Sequence, residues 1–422
     1  MTIPYCLNIH PGEDLSAIRD AIEKHAFAVK ARVSPGAPYP LGLRLAAAAA
    51  NELADPAALE DFRDLLARNN LFVTGINGFP YGTFHNAAVK TAVYQPDWST
   101  PERLAYTGRL ATILAALLPE GQTGNISTVP LGYKGRGKRV IGQWSLGNEQ
   151  EEGVIGHSSV VSGKREEDEP WRASVPASRV PVRQIAVMAE FLHDLKCKTG
   201  REVVLALEPE PDCVLEDTDE VIAWFEDELL TEGKRWLTFQ NRRTPDEAEA
   251  LLRTYVGLCL DTCHFAIEFE DPLTALRRFE SACIRVARIQ LSAAIRTTVC
   301  DDALKRLADF IDPVYLHQTK IRLPRGRILS LPDLTKETLK TARQHEGCEL
   351  RTHFHVPLFY EGDGMLGSTH TDLSPEFFAH VAAHGYPLEI ETYTFNVLPP
   401  AIRPADVVDS LVKETEWVLE RV

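Results

Sequence analysis

The chain of 422 residues has no apolar run of about 18 residues, the length a membrane helix needs, so membrane insertion is not expected. Its eight cysteines include no Cys-x-x-Cys pair and follow no regular spacing, which argues against a zinc finger or a disulfide framework and suits reduced thiols. The start, MTIPYCLNIHPGED, lacks a basic stretch followed by an apolar one; no secretory leader is read there, and the cytoplasm is the expected compartment. Positive charge is scarce, with 45 Lys and Arg against 60 Asp and Glu, a net charge of −15. Such a chain repels polyanions, which disfavours nucleic acid and leaves a small polar metabolite as the expected partner. GYKGRGK lacks the Ser or Thr that follows Lys in the phosphate loop GxxxxGK[ST], so an ATP site is not read there. Nothing in the sequence specifies an oligomeric state.

What is present is a globular composition, 44% hydrophobic and 25% charged, able to bury a core at this length. Nine strand-like runs alternate with helical patterns: Tyr5 to His10, Leu41 to Leu45, Leu71 to Phe79, Asn125 to Leu131, Val203 to Glu208, Gly257 to Asp261, Val286 to Ser292, Leu350 to Phe359 and Leu388 to Thr394. DPAALEDFRDLLARNN and PVRQIAVMAEFLHDLKCKTG, between such runs, repeat apolar residues at three and four as amphipathic helices do. The alternation predicts an α/β chain, a (β/α)8 TIM barrel formed as a single domain over 1–422. Nine runs are one too many for eight strands. Two segments interrupt the pattern: 132–170, polar and Gly-rich, is read as a candidate lid, and 293–349, with YLHQTKIR and LPRGR, as an insertion that covers the pocket and separates two versions of the seventh strand.

Titratable residues fall at the ends of these apolar runs, where a buried strand has no reason to place a charge. VVLALEPEPD delivers Glu208 and Glu210, with Pro209 and Pro211 stopping the strand on the rim where barrel enzymes work; by themselves the two also read as solvated loop carboxylates. YVGLCLDTCHF delivers Asp261 and, three residues on, His264, which alone read as a helix cap and a satisfied imidazole. Cys259 and Cys263 have no second pair beside them and are taken as structural.

LRTHFHVPLF places His353 and His355 on one face of a strand, where a metal, an acid or neighbouring backbone must satisfy them. LEIETYTF places Glu389 and Glu391 on one face, where they repel unless a cation lies between them. Together these groups supply two or three oxygen ligands and a nitrogen. That donor set favours Mn²⁺ or Mg²⁺ as the cofactor, with Co²⁺ or Zn²⁺ also compatible. Asn8 and His10 after the first run, and Asn77, Tyr81 and His85 in NGFPYGTFH after the third, are the candidate substrate-pocket residues.

The segments LALEPEP, LDTCH, HFHV and IETY resemble strands 5 to 8 of the xylose isomerase-like barrels, a family that includes ketose 3-epimerases and apurinic endonucleases. The resemblance implies Glu208, Asp261, His355 and Glu391 as metal ligands, and His264 as a group that binds or polarises substrate. ARIQLS fits the seventh strand of the simpler epimerases, putting Gln290 where they place histidine, whereas HFHV has the right residue at the right distance from Glu391. His355 is preferred as ligand, with Gln290 as the alternative. More closely, HFHVPLF with LEIETYTFNVLP, and IQLS with YLHQ, resemble the EboE group of bacterial metabolite traffic proteins.

The implied activity is isomerisation or epimerisation of a sugar, cyclitol or their phosphates through an enediolate. Glu208 and Glu391 would act as base and acid, His264 would orient an oxygen, and His353 and His317, the latter on the insertion over the mouth, would contact substrate. Two rivals stand beside it: a barrel that binds or traffics a metabolite without transforming it, and a metal-dependent endonuclease, which the net charge disfavours.

Overall fold

The computed structural model describes residues 2–85, 87–134 and 179–422. Six strands come first, β1 (Tyr39–Arg44), β2 (Leu71–Asn77), β3 (Thr123–Thr128), β4 (Glu202–Leu207), β5 (Val256–Asp261) and β6 (Arg285–Leu291). The chain then leaves to make β7 (Ala293–Thr298), β8 (Thr319–Arg322), β9 (Ile328–Leu331), β10 (Glu349–Val356) and β11 (Gly367–Ser368), and returns for β12 (Leu388–Ile390). β1 to β6 and β12 form one parallel sheet in the order β1-β2-β3-β4-β5-β6-β12, with helices between successive strands. Tyr5 bridges Ile390 of β12 and Cys6 bridges Gly42 of β1, both in parallel, so two residues stand in the eighth position and close the ring. This is the expected TIM-barrel class.

Two strand assignments change. The run Tyr5 to His10 is strand-like only at Tyr5 and Cys6, because the chain turns at Leu7–Ile9 into a short helical turn. The run Leu350 to Phe359 is not a barrel strand: β10 is the centre of an antiparallel sheet ordered β11-β7-β10-β8-β9. The seventh barrel strand is therefore β6, which carries ARIQLS. The excursion also extends beyond 293–349, since its sheet takes in β10 and β11. Of the candidate lid at 132–170, all but residues 132–134 lies outside the described residues.

The helix starts follow a repeated local signal, a capping side chain followed by proline. Asp55 caps Pro56–Arg68 by accepting from Ala58 N at 2.9 Å, Asp271 caps Pro272–Ser281 by accepting from Thr274 N at 2.7 Å, and Ser374 caps Pro375–His384 by accepting from Phe377 N at 3.1 Å. Thr244 adds a reciprocal contact with Glu247 at the start of Pro245–Tyr255. Proline at the first position loses no hydrogen bond and presets the helical φ.

Inside the barrel, a layer below the strand ends, Arg288 crosses from β6 to β12 and β3. Its Nη1 donates to Glu389 Oε1 at 2.7 Å and its Nε to Asn125 Oδ1 at 2.6 Å. Glycines on β1 and β2 make the room: a Cβ on Gly42 would strike the Glu389 carboxylate, and one on Gly75 would lie 2.5 Å from Arg288 Nη2. The Glu389 half of the alternating pair is thus neutralised by a guanidinium.

The C-terminal helix Val407–Leu419 is held by buried Glu414, which accepts from Leu358 N and from Thr392 Oγ1, both at 3.2 Å. Burial pushes its carboxyl up from 4.5 to about 8, against the pull of those hydrogen bonds.

Arg288→Met strands Glu389 as an unpaired buried charge and is expected to cost about 3–5 kcal/mol of unfolding free energy in urea titrations, much of which Arg288→Met/Glu389→Gln restores. A second expectation concerns pH. Glu414 holds its proton more tightly folded than unfolded, so its contribution is complete below 4.5 and is lost as pH rises through about 8. Glu414→Gln keeps an acceptor for Leu358 N, and its amide can donate to the Thr392 hydroxyl. The variant should therefore melt above the wild type at pH 8.5, with the gap closing by pH 5.

Candidate active site

The carboxylates arrive at the C-terminal ends of three barrel strands, β4, β5 and β12. Glu208 extends β4, its N–H donating to Thr128 O at 3.0 Å before Pro209 ends the strand. Asp261 is the last residue of β5 and caps the helix Thr262–Ile267. Glu391 follows β12, its N–H donating to Leu291 O at 3.1 Å. All three are buried and share one cluster, a ligand atom from each lying within 4.8 Å of the others.

Each carboxylate spends one oxygen or none on the protein. Asp261 Oδ1 accepts from Cys263 N at 2.8 Å, His264 N at 3.1 Å and Ser292 Oγ at 2.7 Å, while Oδ2 has no partner. Glu391 Oε1 accepts from Asn8 Nδ2 at 2.6 Å and Asn77 Nδ2 at 3.2 Å, and its Oε2 has no partner; Glu208 Oε2 has none either. Asp261 therefore caps a helix with one oxygen and leaves the other free, so the capping and ligand readings are compatible. Three unpaired carboxylate oxygens, buried together, fit a cation.

The imidazoles point the same way. His264 Nδ1 donates to Pro209 O at 2.8 Å, His355 Nδ1 to Glu391 O at 2.9 Å, and His353 Nδ1 to Gln318 Oε1 at 2.8 Å. Each ring thus has its Nδ1 engaged by a carbonyl oxygen and turns Nε2 toward the cluster, the arrangement that orients metal-binding histidines. The Nε2 atoms of His353 and His355 lie 3.0 Å apart, a repulsive pairing of lone pairs unless a proton or cation comes between or beside them. His355 belongs to one candidate ligand group with Asp261 and His264, and His353 to another with Glu210 and His264.

Proton affinities register this crowding. Burial raises Glu208 to about 8, partly offset by His264 and reinforced by Asp261 and Glu210, and burial with the charges of Glu208 and Asp261 raises Glu391 further. Burial also works to raise Asp261, but His264 and His355 outweigh it and hold the group below its ordinary value. His355 falls to about 4 and His353 lower still, in both cases chiefly through burial, whereas the surrounding carboxylates overcome burial at His264 and raise it.

Above the cluster opens a cavity. Its polar floor is Glu208, Glu210, His264, His353, His355, Glu391, Asn8 and Asn77, and its walls include Phe79, Phe84, Val93, Tyr94, Tyr315, Leu316 and Tyr393. Asp261 sits beneath it. Of the other expected residues, Gln290 is buried on β6, its Oε1 accepting from Cys259 Sγ at 3.0 Å and its Nε2 unpaired, and it does not line the cavity. His85 supports the site from behind, with Nε2 on Asn8 O and Nδ1 against Tyr315 Oη, both at 2.6 Å. His317 lies between His353 O at 2.6 Å and Asp312 Oδ2 at 3.0 Å, and His10 pairs with Tyr5 Oη at 3.0 Å and stacks on His25. Tyr81, Gln290, His10, His85 and His317 are all absent from the lining.

Two lining residues go beyond the expected set. Glu210 accepts from Tyr94 Oη at 2.7 Å and from Gln318 Nε2 at 3.3 Å. Its signal was the alternation in EPEP, which aims Glu208 and Glu210 alike. Tyr94 closes a short helical turn, Lys90–Tyr94, with no periodicity to mark it.

No protein-family model matches the chain, and no curated protein matches its sequence. Similar solved structures include a xylose isomerase-like TIM barrel protein from Mycobacterium smegmatis in complex with magnesium, 14% identical, with a TM-score of 0.48 over 99% of this chain and 96% of that one. The probable 3-DHS dehydratase AsbF of Bacillus anthracis, involved in petrobactin synthesis, is 12% identical, with a TM-score of 0.45 over the whole of both chains. The IolI protein with a bound zinc atom is 11% identical, with a TM-score of 0.43 over 99% of this chain and 96% of that one.

Asp261→Asn keeps the capping oxygen and replaces the unpaired one with a neutral amide. The variant is expected to fold with unchanged circular dichroism yet lose the divalent metal that elemental analysis finds in the purified wild type. Equal metal content in both proteins would remove Asp261 from the ligand set.

Proposed function

We propose that this chain is a divalent-metal-dependent isomerase or epimerase of a sugar or cyclitol, acting by proton transfer next to a carbonyl. The observation that carries the reading is the trio of unpaired oxygens on Glu208, Asp261 and Glu391, buried together beside the imidazoles of His264 and His355. Glu208, Asp261, His355 and Glu391 would hold the ion, with Mn²⁺ or Mg²⁺ the best match to a carboxylate-rich set. When bound, such an ion supplies positive charge that favours loss of a proton from carbon next to a carbonyl.

The protein's own groups do the rest. Glu208 and Glu391 reach the cavity from strands on different sides of the barrel, so one can take a proton from a substrate carbon at its free oxygen while the other returns one. Asn8 and Asn77 fix the Glu391 carboxylate, and Pro209 O fixes the His264 ring so that Nε2 faces the cavity and holds a substrate oxygen. Phe79, Phe84, Tyr315 and Tyr393 form an apolar wall that limits water around the reacting carbon. Tyr315 and Leu316 come from the excursion, which supports reading 1–422 as one domain in a cytoplasmic enzyme acting on a small metabolite. The finer placement with the EboE metabolite traffic group rests on HFHVPLF and LEIETYTFNVLP.

Glu391→Gln should preserve the fold and slow exchange of substrate carbon-bound hydrogen with D₂O by about 10²–10⁴-fold, followed by NMR over a panel of ketoses and keto-cyclitols. A wild-type protein that binds members of the panel and exchanges none of them is a carrier, and the proposal fails.

A further inference from the structure

The end of the barrel opposite the carboxylate site carries a second set of metal-ligand side chains. Helix Pro272–Ser281 precedes β6 and helix Pro375–His384 precedes β12, and these strands are neighbours, so the last turns of both helices lie side by side at the N-terminal ends of the strands. Glu280 on the first helix and His380 and His384 on the second each offer one ligand atom, all within 4.8 Å of one another.

The geometry is prepared for coordination in three respects. Histidines four apart on a helix share a face, and these two rings lie 4.1 Å apart between centroids. His384 Nδ1 donates to His380 O at 2.8 Å, which fixes its hydrogen there and leaves Nε2 bare. Glu280 Oε1 accepts from Tyr386 Oη at 2.6 Å and from His380 Nε2 at 2.7 Å, so the carboxylate is held in place by a phenol outside the cluster. Burial works to raise the Glu280 carboxyl, but these two bonds outweigh it and keep the group ionised.

We propose that Glu280, His380 and His384 form a second divalent-metal site, of the zinc class, that clips these two helices together. Two imidazoles and one carboxylate suit Zn²⁺, and Ni²⁺ or the more tightly held Cu²⁺ take the same donors. The ion takes the place of the proton between His380 Nε2 and Glu280, and that proton passes to Nδ1 of the same ring or to solvent. The residue after His380 is Val381, buried in the core, where zinc hydrolases with two histidines at this spacing carry a glutamate; with no base there, the site binds and does not hydrolyse. The whole antiparallel sheet lies in the chain between the two helices, so the ion closes a long excursion, where a cross-link restricts the unfolded chain most.

This inference is independent of the function proposed above, and the test keeps the two apart. Zinc binding by equilibrium dialysis with elemental analysis, at micromolar zinc, is measured for wild type, His384→Ala and Glu280→Gln, and again for each in the Asp261→Asn background. His384→Ala and Glu280→Gln are each expected to bind one equivalent fewer than their parent in both backgrounds. The rise in melting temperature that zinc gives Asp261→Asn should be absent from Asp261→Asn/His384→Ala. Both replaced side chains are at least partly exposed, so the variants should fold, as circular dichroism will check. Unchanged zinc stoichiometry in the folded variants overturns the site, whatever the fate of the first one.

Discussion

A charge enclosed in a barrel has to be balanced within the barrel, and the interior of this chain is arranged around that requirement in two layers. In the lower one the answer is internal: Arg288 meets Glu389, Asn125 supports the guanidinium, and Gly42 and Gly75 give up their side chains to admit the pair. In the upper one Glu208, Asp261 and Glu391 converge beside imidazoles, and among the described residues none of the three is ion-paired with a guanidinium. The contrast separates a structural ion pair from carboxylates left with unpaired oxygens, although Glu389 and Glu391 are only two residues apart in the chain.

The upper layer is assembled from two sheets. Its carboxylates come from the parallel barrel, while His353 and His355 come from β10, in the middle of the antiparallel sheet. His355 is tied back to the barrel by its Nδ1 bond to Glu391 O, and Thr394 Oγ1 donates to His355 O at 2.6 Å, so the imidazole and the carboxylate are positioned by the same few bonds. The excursion is therefore part of the site, supplying nitrogen donors from β10 and apolar wall from Tyr315 and Leu316.

The barrel was legible because parallel strands buried on both faces read as apolar runs, and because apolar residues repeating at three and four marked helices such as Pro56–Arg68 and Val180–Thr199. The upper carboxylates were legible for a related reason: an acid that ends an apolar run has no packing role. The membership of β10 was not legible, since alternation at two residues is the same whether a strand's partners are parallel or antiparallel. The first strand shrank to Tyr5 and Cys6 because its apolar residues are equally content in a buried turn. His10, His85 and His317 looked like Asn8 and Asn77 in the sequence, as polar residues beside strands. What distinguishes them is where each ring finds its hydrogen-bond partners, and for His85 and the Nδ1 of His317 those partners lie far away in the chain.

The Arg288–Glu389 pair also ties the barrel's packing to the cluster above it. It lies directly below Glu208, Asp261 and Glu391, with Ile76 O and Asn125 around it, as a filled layer between that cluster and the other end of the barrel. A change of size in that layer is therefore felt at once by the packing of the strands and by the carboxylates that stand on it.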